Sequence, residues 1–436
     1  MAYTIADAFT DKLTWNGDDT FSSTGNKLVD LLFFGESLKN DKATAKMYAE
    51  SAKSELNTDF GRSFAMMMRD PRFGLGYRDY GIILENAAGI DFDSMVFAGR
   101  YDDILKTSDK GKFRDAVLYL KDKIEKGDNL AKKWMPRFGS SKKALASRIR
   151  KILGMSKQQY NKFVKVETTE SMLTEHRNDD INFSHVPSLA SIKYTKRFMK
   201  GDMRERYEKY LEDVKSGKAK LNVSTTTVYD IYRSRFDIDA NVFFDRLEKI
   251  SLNCIPIIDV SGSMTVNDAM GKAISIGHYL SMCSSYMPGH SITFSTTPML
   301  IDFTDGTDGD YRKQVDIIKN MDWGGSTNLK AVMDRLRECD EFPEYIVVLS
   351  DMEFNLGSRT SIVEFENYCK SIGSNTKLVW WNLNSIDRCA PERAGHGNVF
   401  MSGYSPMLLD FMNNEFDGDN FLKVLVENYE KKIGKG

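Results

Sequence analysis

The stretch Ile255-Pro256-Ile257-Ile258-Asp259-Val260-Ser261-Gly262-Ser263-Met264 constrains this chain more than any other. Four mostly branched apolar residues in a row suit a strand buried on both faces of a parallel sheet, and the polar run after them falls where that strand ends. In open α/β sheets, ligands collect at the carboxyl edge of the strands. Here that edge offers Asp259, Ser261 and Ser263, small oxygen donors at every second position and therefore on one side of an extended chain. A carboxylate with two hydroxyls is hard-oxygen chemistry, suited to Mg²⁺ or Mn²⁺ and foreign to zinc, which takes His and Cys.

Three donors do not complete a coordination shell, so more oxygens are expected at the ends of neighbouring strands. Two later stretches offer them. Trp323-Gly324-Gly325-Ser326-Thr327-Asn328-Leu329 is a glycine-rich turn entering a helical pattern, and it carries Thr327. Tyr345-Ile346-Val347-Val348-Leu349-Ser350-Asp351 is a second buried-strand run that ends in a carboxylate. This order of residues resembles the von Willebrand factor A domain family with its metal-ion-dependent adhesion site, Asp-x-Ser-x-Ser, then Thr, then Asp. The resemblance implies a metal site of Asp259, Ser261, Ser263, Thr327 and Asp351 holding Mg²⁺ or Mn²⁺. It further implies hydroxyls bound directly, carboxylates acting largely through water, and one position open to an acidic protein or phosphate ligand.

Regular alternation of strand and helix patterns continues to the end of the chain, which predicts a doubly wound, Rossmann-like α/β domain over residues 250–436. Val266 to Cys283 reads as an amphipathic helix within it, and Ser291 to Phe303 as two β segments turning at Thr297-Pro298. Residues 26–240 show helical spacing and no convincing period-two strands, so they are expected to form an all-α, HEAT-like solenoid without a fixed repeat. Residues 1–25 are polar, with a turn at Trp15-Asn16-Gly17-Asp18, and read as an arm that is extended until it docks. A length of 436 residues likewise favours two domains.

Within the helical part, Arg69-Asp70-Pro71-Arg72-Phe73-Gly74-Leu75-Gly76-Tyr77-Arg78-Asp79, Gly99-Arg100-Tyr101-Asp102-Asp103-Ile104-Leu105, Ala131-Lys132-Lys133-Trp134-Met135-Pro136 and Val186-Pro187-Ser188 resemble landmarks of the DUF2828 family. That family joins a helical domain to an A domain, and its layout is similar to that of the Ro60 (TROVE) family. The Ro60 likeness implies binding of structured or misfolded non-coding RNA.

Charge is unevenly divided. Residues 106–235 hold 31 Lys plus Arg against 16 Asp plus Glu, although the whole chain has a net charge of −2. Such a division suits a module that meets a polyanion, or two regions that attract each other across an interface. The cations concentrate at Lys132, Lys133, Arg137, Lys142, Lys143, Arg148, Arg150 and Lys151, with no acidic residue between Asp128 and Glu167. Leu145, Ile149, Ile152 and Leu153 share the apolar face of this helix. Without i,i+4 carboxylates the cluster is a candidate RNA-binding surface, the alternative being a solvated face. Trp134, Phe138 and Tyr160 between these cations could stack on bases or fill a core.

An enzyme needs a nucleophile or base with an orienting partner, and none is legible. His176, His185, His278, His290 and His396 form no metal-spaced pair, and neither a Gly-x-Ser-x-Gly elbow nor a phosphate loop occurs. A non-enzymatic protein is expected. The beginning Met1-Ala2-Tyr3-Thr4-Ile5-Ala6-Asp7 lacks the pattern of a signal peptide, and no uncharged apolar run reaches about 18 residues. Five cysteines without a Cys-x-x-Cys pair point to reduced thiols, so the expected location is cytoplasmic, with no membrane contact. Oligomeric state is not legible.

Overall fold

All six residues of strand β1 (Cys254–Asp259) are buried, as a two-sided apolar run requires. In the computed structural model, β1 lies inside a six-stranded sheet with β2 (His290–Phe294), β3 (Met299–Asp302), β4 (Tyr345–Ser350), β5 (Lys377–Asn382) and β6 (Val399–Ser402). The strand order is β3-β2-β1-β4-β5-β6. Only β3 runs antiparallel, pairing with β2 across the turn expected at Thr297-Pro298. The chain winds outward from β1 in one direction and from β4 in the other. The β1/β4 boundary is therefore the switch point, where a crevice opens at the carboxyl edge. The structure describes residues 10–107, 109–223, 225–319, 321, 324–395, 397–412 and 418–434. Met1 to Asp7, Trp323 of the glycine-rich turn and His396 lie outside the described residues.

Ahead of the sheet the chain is helical, from Lys27–Phe33 to Ala240–Asp245, as expected for an all-α region followed by a doubly wound α/β region. The expected border near residues 240–250 separates helix from sheet, but it does not separate two cores. One apolar cluster runs from Phe21 through the first helices and the whole sheet to Tyr429. At the junction Phe33 meets Phe400 edge to face, with ring centroids 5.2 Å apart, and Asn382 Nδ2 donates to Phe33 O at 2.9 Å. A second cluster, from Ile82 to Val164, is the core of a smaller helical lobe. The buried carboxylates of Asp102 and Asp103 join this lobe to the buried Arg69 and the partly exposed Arg78, while Lys142 pairs within the lobe. Arg69 Nε donates to Asp103 Oδ2 at 3.0 Å, while Arg78 and Lys142 reach Asp102 Oδ2 at 2.9 and 2.6 Å. No described helix is long and apolar enough to cross a membrane.

The helix after the metal edge departs from expectation. A 3₁₀ segment, Gly262–Asp268, precedes the α-helix Ala269–Cys283, and Asn267 and Asp268 between them take φ of 52° and 54°. Short polar side chains tolerate that left-handed region. The α-helix is buried on nearly every face rather than amphipathic, because helix Val228–Ser234 covers the side turned away from the sheet. Against the sheet the fit is close: a Cβ on Gly277 would lie 2.4 Å from Ile258 Cδ1.

His278 on this helix is enclosed by Phe244, Phe303 and Tyr311, and its Nε2 lies 2.8 Å from Gln314 Oε1. Burial lowers its pKa to about 4. Unfolded, the ring takes a proton near pH 6.5, which the folded site refuses. Stability should therefore fall as pH drops from about 6.5 toward 4. In urea titrations His278→Gln should flatten that part of the profile; an unchanged slope would refute the assignment. Phe33→Ala should lower stability by about 3–5 kcal/mol. Helical and aromatic circular-dichroism signals should still be lost in one urea transition, whereas two separate transitions would contradict a shared core.

Candidate metal centre

Strand β1 delivers Asp259 to the switch point fully buried, with both carboxylate oxygens in use. Oδ1 accepts the Ser261 N–H at 2.9 Å, which folds the chain back over the strand end, and Oδ2 accepts the Ser350 hydroxyl of β4 at 2.6 Å. The Ser261 and Ser263 hydroxyl oxygens lie 3.1 Å apart, and Ser263 hydrogen-bonds Asp351. The alternation read from the sequence thus places these side chains together.

Thr327 arrives on a separate loop. Gly324 N–H donates to Ser295 Oγ at 3.1 Å and Asn328 N–H to Ser295 O at 2.9 Å, which pins the loop to the end of β2. Asn355 then holds Thr327 from the other side: its Oδ1 accepts the Thr327 N–H at 3.1 Å, and its own N–H donates to Thr327 O at 3.0 Å. Ser263, Thr327 and Asp351 line one cavity of about 510 Å³, with Asp259 and Ser261 behind Ser263. All five sequence-read donors are thereby gathered at the switch point.

The electrostatics of this cavity bear on what it can hold. Burial, and next the Asp351 carboxylate, push Asp259 up to about 7. Burial also raises Asp351, and it carries Glu353, on the same cavity wall, to about 7. Among the described residues no Lys or Arg forms an ion pair with any of the three. Desolvated carboxylates without a counter-charge are costly to ionise, and a divalent cation beside them removes that cost. No group of three His, Cys, Asp or Glu able to hold a metal occurs among the described residues. Three of the five donors are hydroxyls, so a hard cation suits the set, whereas a soft-metal centre does not. Burial raises the Cys389 thiol to about 12, so without a metal it stays protonated.

Sequence reasoning missed the other half of the cavity. The N-terminal arm docks along the carboxyl edge of the sheet: Phe21 exchanges backbone hydrogen bonds with Ala390 at 3.0 and 2.9 Å. The expected turn forms at Thr14–Asp18 and brings Trp15 and Asn16 to the cavity wall. Asn16 Nδ2 donates to Thr327 Oγ1 at 3.4 Å, and Trp15 N–H donates to Glu353 Oε2 at 2.9 Å. The local signal is the turn itself; past Ser350 the chain is no longer extended, with Met352 at φ 66°, so no spacing foretells Glu353.

The basic surface is thinner than its sequence suggested. Lys142 is committed to the buried Asp102, Arg148 lies over the Phe113 ring at 3.6 Å, and Arg150 Nη1 donates to Met155 O at 2.6 Å. Lys132, Lys133, Arg137, Lys143 and Lys151 form no ion pair among the described residues. Tyr160 is buried with its hydroxyl on Pro136 O at 2.8 Å, which removes it as a stacking platform. Trp134 and Phe138 are half-buried, with Arg100 and Lys157 over their rings at 4.4 and 5.4 Å.

Residues 126–239 match the family model of DUF2828, a domain of unknown function, and residues 253–434 match that of a second such domain, DUF7788. The phrases Ala131–Pro136 and Val186–Ser188 fall inside the DUF2828 match, whereas Arg69–Asp79 and Gly99–Leu105 lie before it. The uncharacterized protein L728 of Acanthamoeba polyphaga mimivirus is 28% identical over 351 residues, covering 69% of this chain and 61% of that protein. The chain thus spans about three fifths of this relative. The crystal structure of the Deinococcus radiodurans RO (RSR) protein superposes with a TM-score of 0.42 at 12% identity, over 95% of this chain and 100% of that one. At that distance no residue role is carried over.

Cation binding is measurable without a partner. Millimolar Mg²⁺ or Mn²⁺ should raise the melting temperature of chelator-treated protein by several degrees, since a ligand that binds only the folded state stabilises it. Asp259→Ala should abolish the shift. A shift that persists in Asp259→Ala would exclude this site.

Proposed function

We propose that this chain is a non-enzymatic, cytoplasmic RNA-binding protein of two working parts. The helical lobe contacts structured non-coding RNA through Lys132, Lys133, Arg137, Lys143 and Lys151. The A-type domain captures an acidic partner with the help of Mg²⁺ or Mn²⁺ at Asp259, Ser261, Ser263, Thr327 and Asp351. The observation that carries the second part is the meeting of Ser263, Thr327 and Asp351 in one cavity where, among the described residues, neither Asp351 nor Glu353 has an ion-pair partner.

The chain's own residues divide the work. Ser261, Ser263 and Thr327 offer neutral oxygens, so a bound cation keeps most of its charge and supplies an attractive point for an external anionic oxygen. Asp259 is occupied by Ser261 and Ser350, which suits orienting the loop more than direct ligation. Among the described residues no His lines this cavity to activate a hydroxyl, which favours capture over catalysis.

For the RNA part, the supporting observation is that five exposed or half-buried cations on one lobe form no ion pair among the described residues, while Lys142, Arg148 and Arg150 are engaged within the fold. Phosphate contacts of this kind are strongly salt-dependent. A protein-only scaffold is the competing reading, favoured by the commitment of Lys142, Arg148 and Arg150 to the fold. Gel shifts over a salt series with a structured RNA separate the two. Lys132→Glu with Lys143→Glu should weaken binding and reduce the log–log salt slope by about 0.7–0.9 per lost contact. No retention by the unaltered protein at any salt would leave the scaffold.

A further inference from the structure

The cation cavity has an apolar side that the donor set does not use. Three large apolar side chains line it while staying open to solvent: Trp15 at 83% exposure, Ile386 at 55% and Val266 at 41%. They come from three separate segments, namely the N-terminal arm, the loop after β5 and the 3₁₀ segment after β1. Single exposed apolar residues are ordinary, but three around one cavity that also carries Ser263, Thr327 and Asp351 form a surface suited to a ligand.

The backbone that presents Trp15 is firmly held. Thr14 Oγ1 donates to Phe354 O at 2.7 Å, and Trp15 N–H is bonded to Glu353. The buried Asp18 accepts the Gly357 and Arg359 N–H groups at 2.8 Å each, the first turn of helix Ser358–Ser371. The main chain is thus fixed while the indole remains uncovered, which lowers the ordering cost of packing a ligand against it.

Charge discriminates between the anions that could reach the cation. Glu353 and Asp387 stand in the cavity wall beside Asp351, three carboxylates against the single Lys12 ammonium that donates to Asp387 O. A phosphate monoester carries a charge of about −1.5 to −2 at neutral pH, so this wall repels it more than it repels a singly charged carboxylate. We propose that Trp15, Ile386 and Val266 form an apolar subsite beside the cation position, selecting a polypeptide segment in which an Asp or Glu is flanked by a large apolar side chain. This rests on the cation-dependent capture proposed above, and it assigns the arm a role in specificity.

Small probes test both layers on the full chain. Binding of 3-phenylpropionate, acetate and inorganic phosphate is measured by ligand-observed NMR with and without Mg²⁺, beside the melting shift produced by Mg²⁺ alone. In Mg²⁺, 3-phenylpropionate should bind about tenfold or more tighter than acetate, given the free energy of burying an aromatic ring, and phosphate should bind no better than acetate. Trp15→Ala, at an exposed side chain, should erase that preference while leaving the Mg²⁺ shift and acetate binding unchanged; Ile386→Ser should reduce it. Equal binding of the two carboxylates, a preference that survives Trp15→Ala, or tighter binding of phosphate would overturn the subsite. A Mg²⁺ shift that is absent altogether would instead overturn the cation site beneath it.

Discussion

The carboxylate of Asp259 sets the terms for the rest of the sheet's carboxyl edge. It is wholly buried, and a buried carboxylate is tolerated only where hydrogen bonds replace the water it has lost. One oxygen turns the chain at Ser261 and the other clamps β1 to β4 through Ser350, so the group that is costly to bury also defines the geometry of the crevice. Asp351, next to it at the end of β4, adds a second buried negative charge. Two such groups side by side ask for a proton or a cation, and the residues Ser263 and Thr327 line the same cavity as Asp351.

The arm belongs to this edge physically, although it is separated from it by more than three hundred residues. Its turn is anchored at Phe354, Glu353 and the start of helix Ser358–Ser371, all of which follow Asp351 directly. Any partner that approaches the crevice therefore meets the first described residues of the chain as well as the six-stranded sheet. Because Asn16 also bonds to Thr327 Oγ1, the arm touches one of the donors themselves. Loss of the arm would alter the cavity even with every strand intact.

What was legible in the sequence was local. Apolar runs that end in polar residues located β1 and β4, and the every-second-residue spacing of Asp259, Ser261 and Ser263 foretold their shared side, because these features depend on neighbours in the chain. Relations over long separations were not legible. Lys142 seemed free since no carboxylate stood four residues away, yet its partner is Asp102, forty residues earlier. Val266 to Cys283 has an amphipathic pattern, but tertiary cover from helix Val228–Ser234 buries the face that a surface helix would leave wet. Asn267 and Asp268 broke its beginning through left-handed dihedrals that no periodicity reports.

The same distinction explains how the helical lobe is attached. Its core, from Ile82 to Val164, is separate from the one shared by the sheet and the first helices, so apolar packing alone would leave the lobe's orientation loosely defined. Directional bonds supply the definition. Arg69 meets Asp103 as a fully buried ion pair, and the partly exposed Arg78 meets the buried Asp102, between the lobe and the rest. Such pairs add little net stability over apolar contacts, but a displaced partner would leave an uncompensated buried charge at a cost of about 3–5 kcal/mol. That penalty favours one orientation over its neighbours. Lys142, at the start of the basic helix, joins the same cluster. The surface proposed for RNA is thereby held at a set angle to the sheet whose edge is proposed to bind the cation.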